Sequence, residues 1–199
     1  MEIYLIRHTR PDVPEGLCYG RNDVPLDEAD FVSRLPQIVA QLPRGMPFYS
    51  SPATRCVRLA ERLVADTGGA LAGVDERLHE LHFGDWEGRL WRDLPREETT
   101  RWTGDIVQHT PTNGENFMVM WDRVAQVYQS ILEAAWNGSL QQVGIVAHAG
   151  SLKVLVMRIL KLAPDQYASL DVAQGRVTRI DVNKTAEGAL TERLMFLNR

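Results

Sequence analysis

Apolar residues follow two distinct patterns along this chain. Residues 3–6 and 143–147 form short, nearly unbroken apolar runs, the signature of strands buried on both faces. The first run ends at Arg7-His8 and leads into Pro11, Pro14 and Gly16, which signal a turn. The second ends at His148, passes Ala149, Gly150 and Ser151, and continues as an apolar-periodic segment over 152–162. Strand, tight turn and helix is the expected order there. Helical spacing is clearest in Phe117, Met120, Trp121, Val124, Val127, Tyr128, Ile131, Leu132 and Ala135, with a stop at Asn137-Gly138. A second helix is predicted over 54–67, with Leu59, Ala60, Leu63 and Val64 inward and Gly68-Gly69 ending it. A third covers 31–42, where Pro36 must kink or restart it. Residues 177–182 and 194–197 read as a hairpin turning near Glu187-Gly188. Strands alternating with helices predict an α/β fold, a mainly parallel sheet with helices on both faces. The strand order stays open.

Residue counts narrow the classes further. With 22 basic and 26 acidic residues the net charge is -4, which argues against a broad nucleic-acid or anionic-membrane footprint. Hydrophobic residues at 44% and 199 residues in all are enough to bury a core in one domain, 1–199. Only Cys18 and Cys56 occur, without CxxC spacing, so neither a disulfide framework nor a cysteine zinc site is expected, and a reducing, cytoplasmic setting is. The start, Met1-Glu2-Ile3-Tyr4, has no basic stretch or long apolar core, so no secretory signal is expected. No apolar run is as long as a membrane span. The least regular region, 81–116, holds Gly84, Gly88, Pro95, Gly104, Pro111 and Gly114 and is expected to form a lid-like insertion.

Ligands of an open parallel sheet gather at the carboxyl ends of its strands, where Arg7-His8 and His148 stand. A short apolar piece, 47–49, precedes Ser51-Pro52 and presents Arg55 in the first turn of a helix. A guanidinium beside free helix N–H groups suits an anion. Taken singly, each of these residues has an ordinary structural reading.

The segments Leu5-Ile6-Arg7-His8-Thr9, Ser51-Pro52-Ala53-Thr54-Arg55, Leu78-His79-Glu80-Leu81-His82-Phe83-Gly84-Asp85-Trp86-Glu87-Gly88 and Val146-Ala147-His148-Ala149-Gly150 occur in this order. Together they resemble the histidine phosphatase, or phosphoglycerate mutase-like, superfamily over roughly 1–162. The resemblance implies a three-layer sandwich and a phosphohistidine mechanism. His8 would be the nucleophile, Arg7 and Arg55 phosphate clamps, a protonated His148 a further clamp, and Glu80 the proton donor, with Glu76, Asp85 and Glu87 as nearby competitors. Tyr19, Gly20 and Ala149 would add substrate contacts, and His79, His82, Phe83 and Trp86 either line the pocket or anchor the loop. Trp91 and Trp102 are lid candidates.

Arg7-His8-Thr9-Arg10-Pro11 and Cys18-Tyr19-Gly20-Arg21-Asn22-Asp23-Val24-Pro25-Leu26 look most like the α-ribazole phosphatases of cobalamin nucleotide-loop assembly, and Thr9 stands where the wider family has glycine. The implied reaction is phosphomonoester hydrolysis without metal or cofactor, on a small phosphorylated metabolite. A mutase-type isomerase and a broad-specificity or phosphoprotein phosphatase are the alternatives. Neither nucleic acid nor membrane is an expected partner, and a homodimer is compatible with this reading.

Overall fold

The computed structural model describes residues 1–185 and 187–199. The strands are β1 (Glu2–Arg7), β2 (Leu17–Cys18), β3 (Pro47–Ser50), β4 (Ala70–Val74), β5 (Arg89–Leu90), β6 (Gln142–Ala147), β7 (Val177–Lys184) and β8 (Leu190–Phe196). The α-helices are α1 (Glu28–Val39), α2 (Thr54–Thr67), α3 (Arg96–Gly104), α4 (Phe117–Asn137) and α5 (Ala149–Ile159). Six strands form one sheet in the order β4-β3-β6-β1-β7-β8, and β2 pairs with β5 apart from it. β1, β3, β4 and β6 run parallel, whereas β7 is antiparallel to β1 and to β8. The sheet is therefore mixed and mostly parallel, with the expected C-terminal hairpin supplying its antiparallel edge.

Alternation along β1 shows how the layers form. Ile3 and Leu5 face a core shared with α4 and α5 (Phe117, Met120, Val124, Leu152 and Val156 among its members). Tyr4 and Ile6 face the opposite core, with Phe31, Leu35, Leu59 and Leu63 of α1 and α2. Successive side chains of a strand point to opposite faces, so a strand covered on both sides is apolar at every position. The Trp121 stripe of α4 lies in the first core, as its spacing predicts.

Helix ends follow local chemistry. Asn116 caps α4 by accepting from the Met118 N–H, and Gly68, at φ 72°, closes α2 with a left-handed turn that glycine adopts without strain. α1 starts at Glu28, earlier than its apolar spacing predicts, because Asp27 accepts from the Asp30 N–H. It runs through Pro36 as one helix and does not restart. Two elements do not obey the burial rule. β4 is an edge strand with mostly exposed side chains, and α3, inside the region expected to be irregular, buries none of its residues.

Pairing in register brings three strand ends to one edge of the sheet. Arg7 is aligned with Ala147, and Ser50 with Val146. The residues that follow, His8, Ser51 and His148, emerge side by side.

Candidate active site

His8 leaves β1 with 1% exposure, its backbone N–H donating to the Ala147 carbonyl at 3.1 Å. Its Nδ1 lies 2.7 Å from the Thr9 carbonyl oxygen. A carbonyl only accepts, so Nδ1 carries the proton and a neutral ring keeps its lone pair on Nε2. Burial first, then the charges of Arg55 and Arg7, push the His8 pKa well below the usual 6.5. The ring is neutral at physiological pH and is a competent nucleophile through Nε2.

His148 is fully buried, its ring centroid 5.3 Å from that of His8. Arg55 Nη2 lies 3.2 Å from His148 Nδ1, and Ser51 Oγ lies 2.7 Å from Nε2. A guanidinium only donates, so Nδ1 accepts and Nε2–H points at the serine. Burial, then the neighbouring His8, Arg55, His79 and Arg7, hold its pKa well below 6.5. In the free protein desolvation and the surrounding cations keep His148 neutral, so the protonated form expected opposite a phosphoryl group is not its resting state.

Arg55 has no exposed surface and is aimed by the loop before α1. Its Nη1 donates to the Asn22 carbonyl at 2.9 Å and its Nη2 to the Gly20 carbonyl at 2.8 Å, with the guanidinium 5.2 Å from the Tyr19 ring centroid. Arg7 Nη1 donates to the Val172 carbonyl at 2.6 Å. Neither arginine has a carboxylate partner among the described residues, and the Nε atoms of both are buried without a hydrogen bond. Two uncompensated guanidinium groups beside two neutral imidazoles make a site for an anion. The α2 N-terminus is not part of it, contrary to expectation, because the Asp23 carboxylate already accepts from the Thr54 N–H at 3.0 Å.

Glu80 reaches this cluster from the far side. Its Oε2 accepts from the Gly150 N–H and its Oε1 from the Leu81 N–H, both at 3.0 Å. A Cβ at 150 would lie 2.1 Å from Glu80 Oε1, so any side chain there would push the carboxylate away from this position. The competing carboxylates are otherwise engaged: Glu76 pairs with His79 at 3.1 Å, Asp85 accepts from Asn113, and Glu87 accepts from the Arg21, Asn22 and Phe83 N–H groups.

Arg123, which no spacing signal marks, braces the Glu80 backbone. It donates to the carbonyls of Arg77 at 2.7 Å, His79 at 2.8 Å and Glu80 at 3.0 Å, and holds Glu115 with two bonds of 2.7 Å. Arg21 adds a bond to the Glu80 carbonyl at 3.1 Å and an ion pair to Glu115 at 3.0 Å. Burial alone would raise the Glu115 pKa, but bonding to Arg123 and the charge of both arginines hold it below the ordinary carboxylate value.

The remaining expected residues divide. Tyr19 sits 6.4 Å from the His8 ring, and Ala149 opens α5 directly after His148. Gly20 is present for packing, because a Cβ there would meet Glu87 Oε1 at 2.2 Å, and its carbonyl serves Arg55. His79 stacks on His148 at 6.4 Å, while the His82 N–H donates to Glu115. Phe83, Trp86, Trp91 and Trp102 pack on one another, and the Trp86 indole donates to Glu98. Trp86 thus anchors its loop. Ser51 and Arg21 stand in quoted motifs but were given no role, and Glu115 and Arg123 were not singled out by the sequence reading. Among the described residues no group of three or more His, Cys, Asp or Glu could hold a metal ion, and no helix is long and apolar enough to cross a membrane.

Comparison with known proteins agrees with this geometry. The model of the histidine phosphatase superfamily (branch 1) matches residues 3–191. The adenosylcobalamin/α-ribazole phosphatase of Salmonella typhimurium is 30% identical over 188 residues, covering 92% of this chain and 91% of its own. The crystal structure of the α-ribazole phosphatase from Shigella flexneri superposes with a TM-score of 0.80 at 28% identity, covering 100% of this chain and 96% of that one. A 2,3-bisphosphoglycerate-dependent phosphoglycerate mutase from Parvibaculum lavamentivorans is 26% identical over 208 residues, covering 99% and 97%. With its two histidines, two arginines and one carboxylate at the carboxyl edge of the sheet, the chain belongs to the histidine phosphatase superfamily, branch 1, and is a phosphatase.

Proposed function

We propose that the chain hydrolyses α-ribazole 5'-phosphate through a phosphorylated His8, with Glu80 as acid and base. The Nδ1–H bond from His8 to the Thr9 carbonyl carries this reading, because it leaves Nε2 free to attack. In the first step the Nε2 lone pair forms an N–P bond while the bond from phosphorus to the leaving oxygen breaks. Glu80 gives its proton to that oxygen and the alcohol departs. In the second step Glu80 takes a proton from water, the hydroxide forms a new P–O bond, and the N–P bond breaks to restore neutral His8. Arg7 and Arg55 offset the charge on the equatorial oxygens, and the arriving phosphate favours a protonated His148 that joins them.

The choice of substrate rests on the α-ribazole phosphatase relatives and on the two stretches around His8 and Tyr19. It makes the partner a small phosphorylated metabolite, and we place the reaction in the cytoplasm, which the two free cysteines suit. The test is phosphate release in EDTA from α-ribazole 5'-phosphate and 3-phosphoglycerate, with and without a bisphosphate primer. Release is expected to be strongest from the ribazole ester, and His8→Ala should lower it by roughly a thousandfold or more with an unchanged circular dichroism spectrum. Primer-dependent isomerisation of phosphoglycerate exceeding phosphate release would replace this reading with a mutase.

A further inference from the structure

His148 meets a different kind of partner at each ring nitrogen. Arg55 Nη2 lies 3.2 Å from Nδ1, at the long end of the hydrogen-bond range, whereas Ser51 Oγ lies 2.7 Å from Nε2. Among the described residues the only other group within reach of Nε2 is Cys56 Sγ, at 3.6 Å. Burial pushes the Cys56 thiol up to about 12, so the sulfur there is neutral and a weak acceptor. Ser51 is therefore the one strong acceptor for the Nε2–H. Its place is fixed from several sides. The Ser51 N–H donates to the Val146 carbonyl at 2.9 Å, Ser50 Oγ donates to the Ser51 carbonyl at 2.8 Å, and Ser51 Oγ also accepts from the Ala53 N–H at 3.4 Å. Ser51, Cys56 and His148 have no exposed surface.

The hydrogen bond at one imidazole nitrogen decides what the other can do. With Nε2–H held by Ser51, the lone pair stands on Nδ1, on the side of Arg55. We infer that Ser51 is a positioning residue for the hydrolysis: it fixes the Nε2–H tautomer of His148, turns Nδ1 towards the phosphoryl group and holds the imidazolium that forms there. This role rests on His148 clamping the phosphoryl group, as in the proposed mechanism, and adds the group that sets the charge of the clamp. The proton gained by Nδ1 comes from the monoanion of the entering ester, whose second pKa is about 6, and leaves the ester as the dianion. Arg55 Nη2 then gives up its long bond to Nδ1, and both groups donate to phosphoryl oxygens. An imidazolium has two N–H groups. Without Ser51 the second would be buried with no strong acceptor, which costs a cation more than a neutral ring.

The charged and titratable groups around the ring are His8 and Arg7 at the end of β1, Arg55 and Cys56 of α2, His79 stacked on it, and Glu80 bonded to Gly150 of α5. Ser51→Ala removes none of them, so a change in pH profile reports the lost acceptor.

The experiment combines nitrogen-15 NMR of the histidine rings, with and without inorganic phosphate, and kcat for p-nitrophenyl phosphate against pH. Both are run on the unaltered enzyme, Ser51→Ala, Ser51→Thr and Cys56→Ala. In the unaltered free protein at pH 7.5 His148 should carry its proton on Nε2, and inorganic phosphate should add one at Nδ1. A proton on Nδ1 of the free protein would overturn the assignment whatever the variants do. Ser51→Ala should weaken phosphate binding about tenfold and move the alkaline limb of kcat, which reports the enzyme–substrate complex, down by about one pH unit. The direction follows because an imidazolium deprived of its acceptor loses its proton at lower pH. Ser51→Thr, which keeps the hydroxyl, should return the limb to its original place, and Cys56→Ala should leave it there. A fall in kcat that is equal at every pH in Ser51→Ala would mean packing alone and overturn the positioning role. A shift from Cys56→Ala as large as that from Ser51→Ala would move the acceptor to sulfur and overturn it too. Because p-nitrophenyl phosphate makes no demand on the leaving group, these outcomes are independent of whether α-ribazole 5'-phosphate is the substrate. Absence of phosphate release from every ester by the unaltered enzyme would remove the hydrolytic reading and the positioning role with it.

Discussion

The sheet edge that carries His8, Ser51 and His148 and the segment from Phe83 to Gly104 are built on opposite terms. His8, Arg55 and His148 are at most 1% exposed and grow from strands and a helix packed into the two main cores. The other segment rests on a small satellite cluster of Cys18, Trp86 and Leu94, with Phe83 and Trp102 against it. Its helix α3 has no fully buried residue and anchors through the partly buried Trp102. Reacting groups need positions that thermal motion does not blur, and core strands provide them. A segment that rests on so small a cluster contributes little to holding the fold together. Glu80 bridges the two regions, bonded to α5 on one side and braced by Arg123 on the other.

The sharpest break of this comparison lies at that bridge. Glu80→Gln keeps the shape and the Gly150 bond but removes the transferable proton, and kcat should fall by about a hundredfold or more. If turnover survives, the acid is another group. Arg123→Met comes next: it strips the fork from three carbonyls and leaves Glu115 with Arg21 alone. Urea unfolding should show a loss of about 3 kcal/mol, and kcat should fall with little change in KM. Partial recovery of kcat in Arg123→Lys would mark the positioning role.

The two neutral histidines predict a pH dependence that belongs to the core region. Both have folded pKa values below 6.5, so the unfolded chain takes up protons first as pH falls. Their neutral burial costs nothing above about pH 6.5; below it stability should decline, by up to about 1.4 kcal/mol per pH unit for each titrating ring. Melting temperatures between pH 7.5 and pH 5 should fall accordingly, and a His8→Asn, His148→Asn double variant should flatten the slope. The smallest effect is expected in the satellite region. Trp91→Ala, at a residue 36% exposed, should cost about 1 kcal/mol or less, whereas Leu5→Ala in the core should cost about 2–5 kcal/mol. Equal losses would erase the contrast.

Much of this was legible in the chain itself. Burial on both faces writes an unbroken apolar run, which is why β1 and β6 could be read, and burial on one face writes the 3.6-residue period of α2 and α4. Arg7, His8, Arg55 and His148 stand directly at the ends or starts of those elements, so their convergence followed from the layout of a parallel sheet. α3 has no fully buried residue and so writes no apolar period, whereas β4 is apolar, Ala70-Leu71-Ala72-Gly73-Val74, but is a short, exposed edge strand directly after Gly68-Gly69; neither was read. The antiparallel entry of β7 beside β1 depends on pairing between residues far apart in the chain. So does the brace, where Arg21, Glu115 and Arg123 meet around the Glu80 carbonyl from three separate segments. The protonation of His148 was likewise decided in three dimensions, because desolvation and neighbouring cations exist only once the chain has folded. The sequence by itself marked the residues proposed to carry the chemistry and the strands and helices they stand on or beside. Tertiary structure decided their charge, their aim and the brace behind them, since each depends on burial and contacts that local sequence does not encode.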